Sequence, residues 1–459
     1  MIDKRLAGEV LAKAVSGGAD FAEIFCELTR TNTISLLDKK IDKIQDNVIS
    51  GVGIRAFYGT QTVYASTCDV SRAGLLACAQ RVADVISLDR KITSVNLTER
   101  IFQNIHPVRV EPVGADVSKK TELLKLACNS ADKYDSLIEQ SQGNISAVDR
   151  NIWIANTEGL FTFDRHIRTR MYVTAFAAQN GEKQSGMCGP GRSMGLETFE
   201  LFNPVEIGQE AARHALVNLR ADYCPAGKMT VAIENGFGGV IFHEACGHSL
   251  EATCVGIGTS KMCGKLGQKI ANEKVTAIDD GTIAGAWGSV NIDDEGTPTQ
   301  RNVLIENGIL KNYMIDRLGS RRMGMAMTGS GRRQSYLYEP TSRMTNTFID
   351  NGPDKNEDII KSIEYGLYAK KMGGGSVNPL TNDFNFAVSE GYIVRNGEIC
   401  EPVRGASLIG NGAEILNLID MVGQNLERGQ GVCGSVSGSV PTDVGQPLIR
   451  VSNITVGGR

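Results

Sequence analysis

The feature that most constrains this chain is residues 239–251, which read GVIFHEACGHSLE. The segment places His243, Glu244 and His248 within six residues, in a chain that contains only five histidines. A histidine pair with a glutamate directly after the first histidine is typical of a zinc hydrolase helix, in which the histidines bind the metal and the glutamate accepts a proton from metal-bound water. An apolar run precedes His243, and burying polar side chains after it is costly unless they are paired or bound to a metal.

The spacing of the two histidines differs from the common His-Glu-x-x-His form, which places both ligands on one helix face at i and i+4. Here they stand at i and i+5, which rotates His248 by roughly 140° from His243 at about 100° per residue. We therefore predict an extra residue in the helical turn, a π-bulge, beside Gly247, because glycine lets a helix deform locally. Two alternatives stay open. His243 and Cys246 share a face at i and i+3, and the segment is also compatible with a buried amphipathic helix whose polar side chains are incidental.

Composition excludes several classes of function. The 459 residues suffice for two or three domains, and a net charge of -4 gives no electrostatic reason to expect a nucleic-acid partner. The first residues lack the apolar stretch of a signal peptide, and no run approaches the ~20 apolar residues of a membrane span, so we expect no membrane association. The eleven cysteines contain no C-x-x-C pair, which favours reduced thiols in a cytoplasmic protein.

Hydrophobic periodicity predicts an α+β fold, in which a helix and antiparallel-meander domain precedes a β-rich domain that carries the metal-binding helix. In the first half, helices are predicted over residues 5–16, 73–86, 119–134 and 204–219. Strands are predicted there over residues 21–28, 33–37, 41–44, 51–58, 62–66, 136–149, 151–156 and 159–178.

In the second half, Asn235 is predicted to cap the helix that carries the motif. Strands are predicted over residues 229–233, 303–306, 309–314, 384–387, 391–394, 406–409 and 448–455, and one late helix over residues 359–369. We place the domains at residues 1–222 and 223–459, and a further division of the first into residues 1–105 and 106–222 stays open.

Two histidines do not complete a catalytic zinc site, which takes three protein ligands and one open position. The candidates by residue type are several acids and Cys246, Cys254, Cys263 and Cys433. Cys433 lies in the glycine-rich segment 429–434, where the backbone is able to approach another element closely. The residues alone do not single it out, and a buried structural thiol is the simpler interpretation.

Several further segments make the chain resemble the TldD/PmbA family of zinc metallopeptidases, once labelled modulators of DNA gyrase, and its TldD-like members above all. The matching segments are residues 51–56, 156–159, 243–251, 293–298, 302–314, 331–336, 343–347, 373–375, 431–434 and 444–447. The resemblance implies one Zn²⁺ per catalytic subunit, bound by His243, His248 and Cys433, with Glu244 as general base. It also implies that the substrate is an unstructured peptide that reaches the metal through a closed, narrow cavity.

The resemblance further implies a dimer, either of two copies or with a TldE/PmbA-like paralogue that lacks the histidine motif. Tyr336, Arg332 and Arg333 are candidate substrate-binding donors that would stabilise the oxyanion. The alternative is that both arginines pair structurally with the acidic cluster at residues 293–295. The glycines Gly373, Gly374 and Gly375 either let a substrate strand approach the backbone, as β-augmentation requires, or form a plain loop.

Two rival functions remain. One is an exopeptidase similar to dipeptidyl peptidase III, which would use a glutamate as third ligand and would keep its zinc in a Cys433→Ala protein. The other is a non-catalytic scaffold or regulatory binding protein of the gyrase-modulator type with a structural metal site, for which replacing Glu244 would change no activity.

Overall fold

The computed structural model describes residues 2–86, 95–378 and 381–458, and helices and strands follow one another throughout these ranges. The mixed architecture, rich in β-sheet, confirms the predicted α+β class. No helix within these ranges has the length and hydropathy needed to cross a membrane.

The first half contains five helices and eight strands in its described residues. The helices are α1 Lys4–Ala14, α2 Arg72–Val85, α3 Val117–Asp132, α4 Thr198–Leu201 and α5 Pro204–Arg220. The strands are β1 Phe21–Leu37, β2 Lys40–Tyr58, β3 Gln61–Thr67, β4 Thr98–Glu99, β5 Ile138–Asn156, β6 Leu160–Gln179, β7 Glu182–Cys188 and β8 Gly191–Arg192.

These strands form one sheet in the order β3-β2-β1-β5-β6-β4, and β7 and β8 also pair with β6. The short strands predicted at 21–28 and 33–37 are a single strand, because β1 pairs with both β2 and β5 through its polar middle. The β1–β5 pairing joins the two meanders, so one sheet contains residues on both sides of position 105. Helices α1 and α2 pack on one apolar cluster of this sheet, and α3 and α5 on another.

The second half is built from shorter helices and more strands. Its helices are α6 Val240–Ala245, α7 Ala252–Val255, α8 Arg317–Met323, α9 Asn356–Lys361 and α10 Gly412–Leu418. Its strands are β9 Asp222–Tyr223, β10 Gly227–Ile233, β11 Ala277–Asp280, β12 Arg301–Glu306, β13 Ile309–Leu310, β14 Gly331–Arg332, β15 Thr341–Ser342, β16 Asn346–Ile349, β17 Tyr365–Val377, β18 Asp383–Arg395, β19 Glu398–Arg404, β20 Ser407–Asn411, β21 Ile419–Val422, β22 Glu427–Ser435, β23 Gly438–Gln446 and β24 Ile449–Gly457.

Two larger sheets organise this half. One has the order β17-β10-β24-β20-β18-β19-β9, with β21 paired to β24, and the other has the order β13-β12-β11-β16-β23-β22. Helix α6 lies in the apolar core that both sheets share, through Ile241, Phe242 and Ala245. The predicted domain boundary between residues 222 and 223 falls within β9, a strand that pairs with β19 of the second half. The domain division stays a prediction.

The helix predicted over residues 359–369 is wrong. Helix α9 ends at Lys361, and strand β17 begins at Tyr365 and pairs in parallel with β10. The start of β17 is buried from Gly366 to Ala369, and periodicity does not distinguish a strand buried on both faces from a buried helix. The strand predicted over residues 309–314 is also shorter, since β13 contains only Ile309–Leu310.

Buried ion pairs connect the two halves. Arg55 on β2 is fully buried and lies 2.9 Å from Glu23 on β1, and it also pairs with Glu295 of the second half. Arg333 reaches back to Glu23 at 3.0 Å. These contacts fix the segments around residues 295 and 333 against the first sheet.

Candidate metal centre

The motif segment folds as a short helix followed by a break. A 3-10 turn, Gly236–Gly239, leads into α6, which ends at Ala245; Cys246 then departs from helical geometry with φ -129° and ψ -42°. A second 3-10 turn, Gly247–Leu250, carries His248. The predicted π-bulge is therefore wrong, because the helix is interrupted at Cys246 instead of carrying an extra residue.

Close packing explains why the residue after this break, Gly247, is a glycine. A Cβ built on Gly247 would overlap the sulfur of Met344, so a larger residue would push the turn away from its neighbour. Asn235 stands at the N-cap of the 3-10 turn that leads into α6, but its side chain makes no capping hydrogen bond there and donates instead to the Asn425 carbonyl at 2.7 Å.

The break brings both histidines to one cysteine. Nε2 of His243 lies 3.2 Å from Sγ of Cys433, and Nε2 of His248 lies 3.3 Å from the same sulfur. The three ligand atoms lie within 4.8 Å of one another, and they form the only such group of metal-binding side chains within the described ranges. Two imidazole nitrogens and one thiolate form a donor set that Zn²⁺ accepts.

A hairpin and a buried arginine position Cys433. The residue lies on β22 opposite Val440 on β23. Arg343, itself fully buried, donates to the Cys433 carbonyl at 2.5 Å and to the Gly438 carbonyl at 2.8 Å. Arg343 thereby fixes the turn of the hairpin. Sequence reasoning missed this role, because no local pattern identifies the partner of a buried guanidinium.

Electrostatics favour the thiolate form of the cysteine. Burial raises the pKa of the Cys433 thiol, but the imidazoles of His243 and His248 outweigh it and lower that pKa to about 3. Burial lowers the pKa of His248, whereas the carboxylate of Glu251 and the Cys433 thiolate raise it well above its ordinary value. Cysteine binds a metal as the deprotonated thiolate, so this low pKa suits Cys433 as a ligand.

Glu244 lies next to this group and is partly exposed. Its carboxylate is 3.8 Å from Nε2 of His248, and its side chain is 25% exposed, whereas His243 is 2% exposed. His248 is its only ionic partner in the described part of the chain. The carboxylate is therefore beside the ligands and not committed to a structural contact.

None of the competing cysteines, Cys246, Cys254 and Cys263, belongs to this group of ligand atoms. Cys246 is fully buried, and burial raises the pKa of its thiol to about 12, which disfavours the thiolate. The Cys263 thiol contacts the Val255 carbonyl at 3.5 Å. The ligand group also contains no glutamate, in contrast to the exopeptidase alternative.

The two candidate oxyanion arginines are buried and make structural contacts. Arg332 donates to the main-chain carbonyls of Met344 and Pro441. Arg333 donates to the Glu23 carboxylate and to the Asp294 carbonyl, each at 3.0 Å, and its main-chain N–H donates to the Asp294 carboxylate at 2.7 Å.

Tyr336 and the glycine run also make no contact with the metal ligands among the described residues. The Tyr336 ring packs in an apolar cluster with Phe25 and Ile292, and its main-chain N–H donates to Glu27 at 2.8 Å. The glycines at 373–375 form part of strand β17 and not a loop, and Gly375 pairs with Phe386 on β18. A substrate-binding role for these four residues and for both arginines stays a prediction.

Sequence comparison identifies the family. The chain matches models of the PmbA/TldA metallopeptidase domain 1 at residues 22–86, central domain at residues 111–219 and C-terminal domain at residues 226–458. A metalloprotease TldD homolog of Haemophilus influenzae is 37% identical over 96% of this chain and 93% of that protein. A metalloprotease of Methanocaldococcus jannaschii is 31% identical over 94% of this chain and 96% of that protein. A zinc metalloprotease TldD homolog of Saccharolobus solfataricus is 26% identical, over 98% and 99% of the two chains.

Solved structures share the fold. A Thermotoga maritima protein described as a candidate modulator of a DNA gyrase has a TM-score of 0.80 at 22% identity, over 98% of both chains. TldE from Thermococcus kodakarensis has a TM-score of 0.75 at 20% identity, over 98% of this chain and 99% of that one. Family models that match most of the chain, and relatives above 30% identity along nearly all of it, agree with the sequence resemblance: the chain belongs to the PmbA/TldD family of metallopeptidases.

Proposed function

We propose that this chain is a zinc-dependent peptidase that hydrolyses unfolded or extended peptides with Glu244 as general base. The observation that carries the proposal is the convergence of His243, His248 and Cys433 beside the free carboxylate of Glu244. The two Nε2 atoms and the Cys433 thiolate would hold one Zn²⁺, leaving the site with a net charge of +1. When bound, the metal would act as a Lewis acid, which lowers the pKa of water and polarises a carbonyl.

Glu244 suits the role of base because its position leaves it free to accept a proton. It follows His243 directly on α6, and its side chain is open to solvent on one side. A purely structural metal site needs no such carboxylate. The free position of Glu244 therefore favours catalysis over the scaffold alternative.

The proposed substrate is an extended chain. Strand β17 pairs with β10 only through residues 366–369, so the exposed stretch around Gly374 has β18 on one side and no strand on the other in the described ranges. A Cβ built on Gly374 has no atom within 4 Å. Unpaired, uncrowded backbone of this kind is what an added peptide strand uses.

We further propose that the protein acts in the cytoplasm as a dimer, of two copies or with a TldE/PmbA-like paralogue. The eleven cysteines are all free, which suits a reducing compartment. The likeness in fold to TldE supports a paralogous partner of similar architecture.

The test is a mass-spectrometric digest of an unfolded peptide mixture by zinc-loaded protein, alone and with a TldE-like subunit. Wild type is compared with Glu244→Gln and with Glu206→Gln, a matched change at an exposed glutamate on α5. We expect cleavage by wild type and Glu206→Gln, and a loss of at least about 100-fold in Glu244→Gln at equal zinc content. Equal cleavage by Glu244→Gln would refute the base assignment. No cleavage by any zinc-loaded form, with or without the second subunit, would refute the peptidase and favour a regulatory binder.

A further inference from the structure

A buried carboxylate faces the side of His248 that is turned away from the ligand group. Oε1 of Glu251 lies 3.2 Å from Nδ1 of His248, and Glu251 is 3% exposed. Within the described residues Oε1 has no well-aligned hydrogen-bond donor, and His248 is the only basic side chain in ion-pairing distance. Burying a carboxylate costs free energy unless the carboxylate is paired, so we ask what role this contact with His248 has.

The main chain holds Glu251 in place. It forms a parallel bridge with Met314, in which Ala252 N–H donates to the Met314 carbonyl at 2.8 Å and Met314 N–H donates to the Leu250 carbonyl at 3.0 Å. His248 has no comparable support, because it lies in the 3-10 turn after the helix break. The backbone of Glu251 is thus fixed next to a ligand whose own segment is a short 3-10 turn and not an α-helix.

The two histidines differ in the support that they receive. His243 lies within α6 and is 2% exposed, and its Nδ1 has no hydrogen-bond partner in the described part of the chain. The His248 side chain is 21% exposed and has Glu251 beside its Nδ1. Packing orients the first ring, whereas the second needs a polar partner.

Helix capping does not explain why the Glu251 carboxylate is buried beside His248. The residue stands at the N-cap of α7, but its side chain makes no capping hydrogen bond. Direct ligation does not explain it either, since its oxygen faces Nδ1 whereas Nε2 faces Cys433, and Glu251 is not a member of the ligand group.

We infer that Glu251 is a positioning residue that acts through His248. Its negative charge, 3.2 Å from Nδ1, favours the tautomer that carries the proton on Nδ1, which leaves Nε2 free to ligate, holds the ring toward Cys433 and increases the basicity of Nε2. The inference rests on the proposed metal centre. Loss of such a partner weakens metal binding by about 10–100-fold in proteins in which it has been removed.

The test measures zinc dissociation constants by chelator competition. Glu251→Gln keeps the shape and an acceptor oxygen but loses the charge, and Glu251→Leu loses both. The matched control is Glu197→Gln, at a glutamate that is 2% exposed and accepts the main-chain N–H groups of Arg109, Val110 and Gly195, none of which belongs to the ligand group. We expect about 10-fold weaker binding for Glu251→Gln, up to about 100-fold for Glu251→Leu, and a change within about twofold for the control.

The second readout is the visible spectrum of the Co²⁺-substituted protein, which reports the ligand field and not stability. A changed spectrum in Glu251→Gln, with zinc-free melting temperature near that of wild type, supports the inference. Zinc binding within about twofold of wild type in both Glu251 variants overturns it. If Glu251→Leu does not fold, Glu251→Gln alone decides.

Two further variants separate this inference from the proposed metal centre. If His248→Ala and Cys433→Ser keep wild-type zinc affinity, the metal centre itself is wrong. If both bind zinc more weakly than wild type whereas the Glu251 variants keep wild-type affinity, the metal centre stands and only the role of Glu251 is refuted.

Discussion

Sγ of Cys433 lies 3.2 Å from Nε2 of His243, although 190 positions separate the two residues in the sequence. One residue lies on α6 and the other on the β22–β23 hairpin, which joins its sheet through the parallel pairing of β23 with β16. The ligand group therefore exists only when the second half is folded. Metal binding and folding of that half should be coupled as a result.

The end of α6 is held by a close approach of α10. A Cβ built on Gly412 would overlap the main-chain carbonyl oxygen of Ala245, two residues after His243. We predict that Gly412→Ala separates α6 from α10, destabilises the protein by about 1–3 kcal/mol and weakens zinc binding. Differential scanning calorimetry and chelator competition measure the two effects. Gly374→Ala is the control, since a Cβ there has no atom within 4 Å; equal behaviour of the two variants would contradict the packing argument.

The buried guanidinium of Arg55 connects the two halves through Glu23 and Glu295. We predict that Arg55→Met lowers the free energy of unfolding by about 3–5 kcal/mol, because it removes one partner of buried charges and leaves the others uncompensated. Urea titration measures the change. Arg395→Met is the control, at an exposed pair with Glu401, and should lower the free energy of unfolding far less, because solvent screens that pair. A cost for Arg55→Met as small as that of the control would show that the buried pairs do not hold the halves together.

Asp316 should make stability depend on pH. Burial and the neighbouring Glu295 carboxylate raise its pKa to about 7, against a smaller lowering by Arg55. In the unfolded chain the pKa of an aspartate is about 3.9, so the native state binds the proton of Asp316 more tightly. The contribution of Asp316 to the free energy of unfolding therefore falls as pH rises from about 4 to about 7, and is constant above that.

The variant that tests this is Asp316→Asn, which keeps the N-cap oxygen that accepts the Gly319 N–H at 3.0 Å but carries no charge. We predict that the melting temperature of the variant, relative to wild type, rises between pH 5 and pH 8. Asp116→Asn is the control at the exposed N-cap of α3; a hydrogen bond from Ser118 lowers the pKa of Asp116, so its difference from wild type should stay flat. A flat difference for Asp316→Asn would mean that its carboxyl is ionised in the native state at pH 5.

The sequence predicts those structural features that depend on a local residue pattern. The first helix, the first-half meanders and the helix predicted over residues 204–219 follow from apolar periodicity, and the structure has them as α1, the strands of the first sheet and α5. His243, Glu244 and His248 stand out in the sequence because they share one short segment. The third ligand, Cys433, was one thiol among several until the family resemblance implied it, since its approach to His243 depends on the packing of a distant hairpin.

What the sequence did not predict depends on tertiary contacts. The helix breaks at Cys246 where a π-bulge is predicted, and the turn after the break packs so closely on Met344 that residue 247 has no room for a Cβ. Residues 365–369 were predicted to be helical, but they fill a place in a sheet beside β10. Glu251 lies within the motif segment itself, yet its proximity to Nδ1 of His248 depends on the same break.

The most direct measurement is X-ray absorption at the zinc edge of the zinc-loaded wild-type protein and of Cys433→Ser. If His243, His248 and Cys433 hold the metal, the wild-type spectrum should require one sulfur at about 2.3 Å and two imidazole nitrogens at about 2.0–2.1 Å, and the sulfur should vanish in the variant. A wild-type spectrum without sulfur, or one that Cys433→Ser leaves unchanged, would contradict the metal centre and the chemistry proposed for it.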